Sequence, residues 1–231
     1  MKSFVEMRQG QDTSIPCSFS YFSSCSIFSS FSTFSTFSII KSALNLNAAS
    51  LLPVLALAVT EGDRVMDMCS APSGKTLAIL QTTCLLHCNE TLESYVPAPL
   101  METVRVTNQD GRDFGHTHKV IAPCTNDIRS YRFLFQRDWT IRSVRAAVRP
   151  GGMGVYSTCT LSRAENHAVV EAVLATCPGV EPEDLQEELA YQLSEHFTFA
   201  PPLWPPGLLV VPERLGHTWG PMFLSRLRRR S

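Results

Sequence analysis

The run from Val65 to Thr76, Val-Met-Asp-Met-Cys-Ser-Ala-Pro-Ser-Gly-Lys-Thr, constrains the fold of this chain more than any other. An apolar stretch ends in an acid, a Pro/Gly loop follows, and Lys75-Thr76 opens a helical pattern. A strand that passes through a tight loop into a helix leads into a crossover, so the run predicts a parallel sheet with helices on its faces. Ligands in such sheets sit beyond the carboxyl ends of the strands, and helix N-termini favour anionic or nucleotide-like groups. A second run, Gly151-Gly152-Met153-Gly154-Val155-Tyr156-Ser157-Thr158-Cys159-Thr160-Leu161, sets Cys159 just past the end of another strand. A ligand loop and a strand-end cysteine in one domain point to covalent chemistry on a bound substrate.

The pattern of elements supports that fold. Asn47 or Ser50 caps a short helix through Leu57, and Glu61-Gly62-Asp63 makes a turn. Strands are expected at Arg64–Met68, Leu85–Cys88, Val104–Thr107, Lys119–Ala122 and Met153–Ser157, with helices at Lys75–Thr82, Arg137–Val148 and Arg163–Ala175. Leu208–Pro212 and Pro221–Leu227 read as a terminal antiparallel pair. Strands alternating with helices give an α/β, doubly wound, mostly parallel sheet. Asp67, Glu90, Asp110, Cys124 and Cys159 then all fall at or just past strand ends. Residues 1–41, with loosely alternating Ser and Phe and almost no charge, read as a low-complexity, disordered extension, and residues 42–231 as the folded domain.

Net charge is −1, so no global field recruits nucleic acid. Any such contact needs a local patch, for which Arg226 to Arg230 is the candidate; its plainer reading is a solvated terminus. The eight cysteines are scattered and no secretory signal precedes them, which argues for free thiols rather than a disulfide frame. Cys84, His87 and Cys88 have metal-ligand chemistry, but no second pair completes a tetrahedral set, and burial in a strand explains them better. No run is long and apolar enough to span a membrane.

Ser73-Gly74-Lys75-Thr76 resembles the end of a phosphate-binding loop, but Cys69 stands where that loop needs glycine, and no G-x-G-x-x-G is present. A cofactor with a ribose and a positive centre fits better. Glu90 after the second strand can take a ribose diol, Asp110 after the third can meet an adenine amino group, and S-adenosyl-L-methionine has that shape. Taken singly, an acid at a strand end is more often a solvated cap than a ligand, though the series is less easily dismissed. Cys159 has two readings as well: a buried small residue, or a thiol activated near the start of the next helix.

At this level of detail the motifs match a known family. Asp67-Met68-Cys69-Ser70-Ala71-Pro72-Ser73-Gly74-Lys75-Thr76 resembles the D-x-C-A-A-P-G-G-K-T cofactor loop of the Nop2/Sun RNA cytosine-5 methyltransferases. Tyr156 to Ser162, with Glu165-Asn166, resembles their Y-S-T-C-[ST]-L…E-N motif. Further similarity runs through Asn45–Leu57, Phe197–Pro201, Gly207–Pro212 and Trp219–Met222. The resemblance implies a class I methyltransferase fold that uses S-adenosyl-L-methionine. Cys69, Ser70, Ala71, Pro72, Ser73, Gly74 and Lys75 would wrap the methionine part, Glu90 the ribose, and Asp110-Gly111 the adenine. Cys159 would attack C6 of an unstacked cytosine, and Cys124 would assist release of the product. It further implies an RNA partner, the anticodon region of a mitochondrial tRNA-Met, with neither DNA nor membrane as partner, a monomer, and a matrix address, although no clear presequence is visible.

The chain departs from the family in three places. The family's D-A-P-C motif lacks its aspartate here, where the strand runs Lys119-Val120-Ile121-Ala122-Pro123-Cys124. Losing a group that protonates the base commonly costs a factor of about 10² to 10⁴ in rate. Only thirteen residues separate Glu90 from Val104, and they include Pro97 and Pro99. A crossover with its helix needs at least about 10–12 residues, so little helix fits there. The span from Cys124 to Arg137 is similarly short, so the chain reads as an abridged member of the family.

Overall fold

A computed structural model describes residues 47–59, 63–68, 70, 74–80, 85–89, 104–107, 131–135, 151–201, 206–212 and 219–230. All of them belong to the unit Thr33–Ser231. The low-complexity tract lies outside the described residues.

The strands are β1 (Arg64–Asp67), β2 (Leu85–Asn89), β3 (Val104–Thr107), β4 (Tyr131–Phe135), β5 (Met153–Thr158), β6 (Val180–Glu183), β7 (Thr198–Phe199), β8 (Leu208–Val211) and β9 (Met222–Arg229). They form one sheet in the order β3-β2-β1-β4-β5-β9-β8-β7, with β6 also paired to β9. The first five pair in parallel. β9 runs antiparallel to β5, with its first half against β8 and its second against β6. From β1 the chain winds outward to β2 and β3, then crosses to β4 on the other side. The order therefore reverses between β1 and β4, the place where open α/β sheets bind ligands.

β5 is Met-Gly-Val-Tyr-Ser-Thr, and all six of its residues are buried. A near-continuous buried run is what a central strand covered on both faces requires. The helix α3 (His167–Thr176; α1 and α2 follow below) lays His167, Val170 and Val173 onto the sheet at helical spacing. Val170 and Val173 pack with Met68, Tyr156, Cys177, Val180, Phe223 and Leu227. The ring of Phe223 lies 6.3 Å from that of Tyr156 and 5.0 Å from that of His167. Burying one such ring stabilises by roughly 1.5–3 kcal/mol. Gly207 is required where it stands, since a Cβ there would meet the Leu224 carbonyl oxygen at 2.4 Å.

The N-terminal cap expected at Asn47 is present. Its Oδ1 accepts from the Ala49 amide at 3.0 Å, opening a 3-10 turn (Ala48–Leu51) that leads into α1 (Leu52–Leu57). The same Oδ1 accepts from Gly220 N–H at 3.2 Å, so Asn47 joins this turn to the approach to β9. The other helix, α2 (Gly74–Leu80), follows β1.

Two expectations are corrected. The strand between β1 and β5 is Tyr131–Phe135 rather than Lys119–Ala122. Residues 119–124, and with them the expected strand Lys119–Ala122 and the strand-end place of Cys124, lie outside the described residues. The basic run Arg226–Arg230 is no free patch either, since most of it is β9. Arg226 donates to both Glu188 oxygens, Arg228 pairs with Glu183, and Arg230 Nε lies 2.7 Å from Glu181. Arg226 Nε is also 2.7 Å from Glu183 Oε2, close enough for ion pairing though not aligned as a hydrogen bond. Burial works against the Arg226 charge, but the hydrogen bond and charge of Glu188, with Glu183 behind them, hold its pKa above the ordinary value. Its Nη1 also donates to the Ala56 carbonyl at 3.2 Å, satisfying the last turn of α1.

Candidate active site

Register fixes the functional edge. Asp67 lies level with Cys88 on β2 and Leu134 on β4, and these with Val106 on β3 and Val155 on β5. β5 continues three residues further, to Thr158, and Cys159 follows. Two inter-strand spacings, about 10 Å, separate β1 from β5. A loop that begins after Asp67 and a loop that begins with Cys159 thus flank β4 on one edge of the sheet.

The loop after β1 is tied across its base. The Thr76 hydroxyl, on α2, donates to Asp67 Oδ2 at 2.7 Å, and Ser70 O lies 3.5 Å from the same hydroxyl. Asp67, Ser70 and Thr76 are all buried. The acid that ends the strand therefore holds the helix start against the strand end, and Gly74 and Lys75 begin α2 beside it. On the neighbouring strands Asn89 and Thr107 are partners, and the Thr107 hydroxyl donates to the Cys88 carbonyl at 3.3 Å. Cys88 is buried in β2, as expected of it.

Cys159 is a free, exposed thiol, so the buried reading does not hold. The residues around it are fastened. Thr158 donates to Asn166 Oδ1, and Asn166 Nδ2 donates to the Thr160 carbonyl at 2.9 Å. The Ser162 amide donates to Thr160 Oγ1 at 3.0 Å, and the Tyr156 hydroxyl to the Glu165 carbonyl at 2.7 Å. Leu161, two residues beyond the thiol, is 55% exposed. Behind the loop His167 is buried against Phe223. Burial first, then the charge of Arg163, lowers its pKa from the ordinary value, with Glu171 opposing.

Of the residues proposed from sequence, Ser70, Gly74, Lys75 and Cys159 stand on this edge. Cys69, Ala71, Pro72, Ser73, Glu90, Asp110, Gly111 and Cys124 lie outside the described residues. Asn166 and Thr76 were not singled out as site residues. Both are short polar residues at a helix start, which in sequence reads as capping.

The geometry fits the methyl donor expected here: a tied loop at the β1 end, neighbouring strand ends in register, and a free thiol beyond β5. A five-stranded parallel core with an antiparallel strand inserted after β5, and its order reversal beside β1, defines a class I methyltransferase sheet. The solved structure of PH0851 shares the fold, with a TM-score of 0.55 at 17% identity over 80% of this chain and 46% of that one. The sequence profile of the family described as 16S rRNA methyltransferase RsmB/F matches residues 122–227. The mitochondrial tRNA (cytosine(34)-C(5))-methyltransferase of Danio rerio is 49% identical over 222 residues, covering 80% of this chain and 60% of that protein. Its Mus musculus counterpart is 42% identical, covering 80% and 63%. The 5-cytosine rRNA methyltransferase NSUN4 of Mus musculus is 36% identical, covering 80% and 59%. The chain is similar to the Nop2/Sun family of RNA cytosine-5 methyltransferases, whose methyl donor is S-adenosylmethionine. It spans about 60% of the length of these curated relatives.

Proposed function

We propose that this chain methylates C5 of a cytosine in RNA, and that the target is the wobble cytosine, position 34, of a mitochondrial tRNA. The observation that carries this reading is the free, exposed Cys159 at the carboxyl end of β5, on the same edge as the tied loop after β1. The relatives' names supply the substrate and the compartment. Cys69 to Lys75, with Glu90, Asp110 and Gly111, are the residues proposed to hold S-adenosylmethionine, which supplies an electrophilic methyl group on a sulfonium.

Cys159 acts as the nucleophile. Its thiolate adds to C6 of a cytosine turned out of its stack, and the electron pair displaced from the C5–C6 bond makes C5 nucleophilic. Once C5 carries the methyl group, removal of the C5 proton restores the double bond and expels the thiolate. Cys124 is proposed to assist that release.

A second reading has its own support. The segment Ile121-Ala122-Pro123-Cys124 carries no acid, and β4 is built from later residues. A relative that binds cofactor or RNA without turnover fits those two facts. Methyl transfer from labelled S-adenosylmethionine to a tRNA anticodon stem-loop separates the readings. The enzyme reading predicts label at C5 and its loss in Cys159→Ala. Label that survives Cys159→Ala contradicts the mechanism, and cofactor binding with no label supports the second reading.

A further inference from the structure

Asn166 is the N-cap residue of α3, yet its side chain makes no capping hydrogen bond. Asparagine at that position ordinarily accepts from an amide of the first helical turn. Here it is fully buried and its side chain is turned the other way, accepting from Thr158 and donating to the carbonyl of Thr160. Those are the residues on either side of Cys159. Its backbone amide meets the Ser162 carbonyl at 3.1 Å, closing the loop from below. A residue that forgoes its local preference with no stabilising gain in its own element marks a functional constraint.

We infer that Asn166 is a positioning residue for Cys159: one amide group clamps the backbone before and after the thiol and fixes where it stands at the end of β5. The inference rests on the proposed covalent role of Cys159. An amide is suited to the task because it accepts at one end and donates at the other. Serine spans only one of the two contacts, so Asn166→Ser removes the clamp and leaves at the helix start a residue well suited to that position. Thr158→Val removes the same clamp from its other side.

Single-turnover methyl transfer to the anticodon stem-loop is compared between the full-length chain and both variants. Misplacing a reacting group by about 1 Å can cost about 10²-fold. Asn166→Ser and Thr158→Val are expected to lower kcat by about that factor, with KM for RNA and affinity for S-adenosylmethionine unchanged. Cys88 and Cys177, both buried, serve as unfolding reporters and are expected to stay as unreactive to iodoacetamide as in wild type. A kcat within about threefold of wild type overturns the inference, and so does a loss that tracks exposure of Cys88 and Cys177. If wild type itself transfers no methyl, the functional reading fails, and the clamp is judged by hydrogen exchange. The Ser162 amide is expected to exchange about tenfold faster in Asn166→Ser, with the α3 amides unchanged. Equal exchange at Ser162 overturns the clamp.

Discussion

Around β5, all six strand residues are buried, β9 pairs along the whole strand, and the loop beyond is fastened to Asn166 and Glu165. Around β1, burial alternates, β3 at the sheet edge is half exposed, and the Thr76 hydroxyl ties the loop to Asp67. The side proposed to carry the nucleophile draws its order from residues within ten positions of Cys159, backed by one long antiparallel strand. The side proposed to hold the cofactor collects strand ends from β1, β2 and β3, which are distant in sequence. The connections that the sequence reads as shortened are therefore expected to bear first on cofactor affinity and last on the placement of the thiol.

The difference can be broken from either side. Phe223→Ala removes the ring packed on Tyr156 and His167 and is expected to cost about 3–5 kcal/mol in urea unfolding. A cost under about 1 kcal/mol would mean that the nucleophile side does not depend on β9 packing. Arg226→Met leaves Glu183, Glu188 and the Ala56 carbonyl without their shared partner. It is expected to cost about 1–3 kcal/mol, less than a fully buried pair because Glu188 is half exposed. Arg230→Ala, at an exposed pair, is expected to cost no more than about 0.5 kcal/mol. Equal losses for the two arginines would refute the division between buried and exposed pairs.

On the cofactor side, Thr76→Val removes the donor to buried Asp67. The resulting cost of about 1–3 kcal/mol is expected to appear as roughly tenfold or greater loss of S-adenosylmethionine affinity in calorimetry. The rate of Cys159 alkylation is expected to stay the same, and a change in it would show that the two sides are coupled.

The smallest effect concerns pH. The folded pKa of His167 is depressed below its ordinary 6.5, so the folded state favours the neutral ring. The unfolded chain then binds the proton more readily, and stability is full above about 6.5 and declines as pH falls through the lower folded value. His167→Gln is expected to flatten the acid side of a plot of urea midpoint against pH. An unchanged slope would place the acid sensitivity elsewhere.

Periodicity and punctuation were enough to locate β1, β2, β3, β5, β8 and β9, because each is an apolar run bounded by turn residues. They did not locate β4. Lys119–Ala122 and Tyr131–Phe135 are two short apolar runs close in sequence, and nothing local decides which one takes the slot beside β1. β6 was missed because Val-Glu-Pro-Glu has the composition of a loop. It is a strand because Glu181 and Glu183 pair with the arginines of β9, and Pro182 is tolerated in a strand paired on one side only. Arg226–Arg230 looked like a free basic patch because its acidic partners lie 38 to 49 residues away in the chain. Cys159 was legible from its place beyond a strand, whereas the clamp on it was not, because an asparagine before an apolar helix reads as a cap.

The most direct test of the central claim uses RNA with 5-fluorocytosine at the target position. Fluorine replaces the proton that must leave C5, so a thiol that has added and seen methyl transfer cannot be expelled. A covalent protein–RNA complex is expected that requires S-adenosylmethionine and contains Cys159 in the cross-linked peptide. No complex, from folded protein that binds both the cofactor and the RNA, would contradict the claim that the two sides of this sheet act on one base.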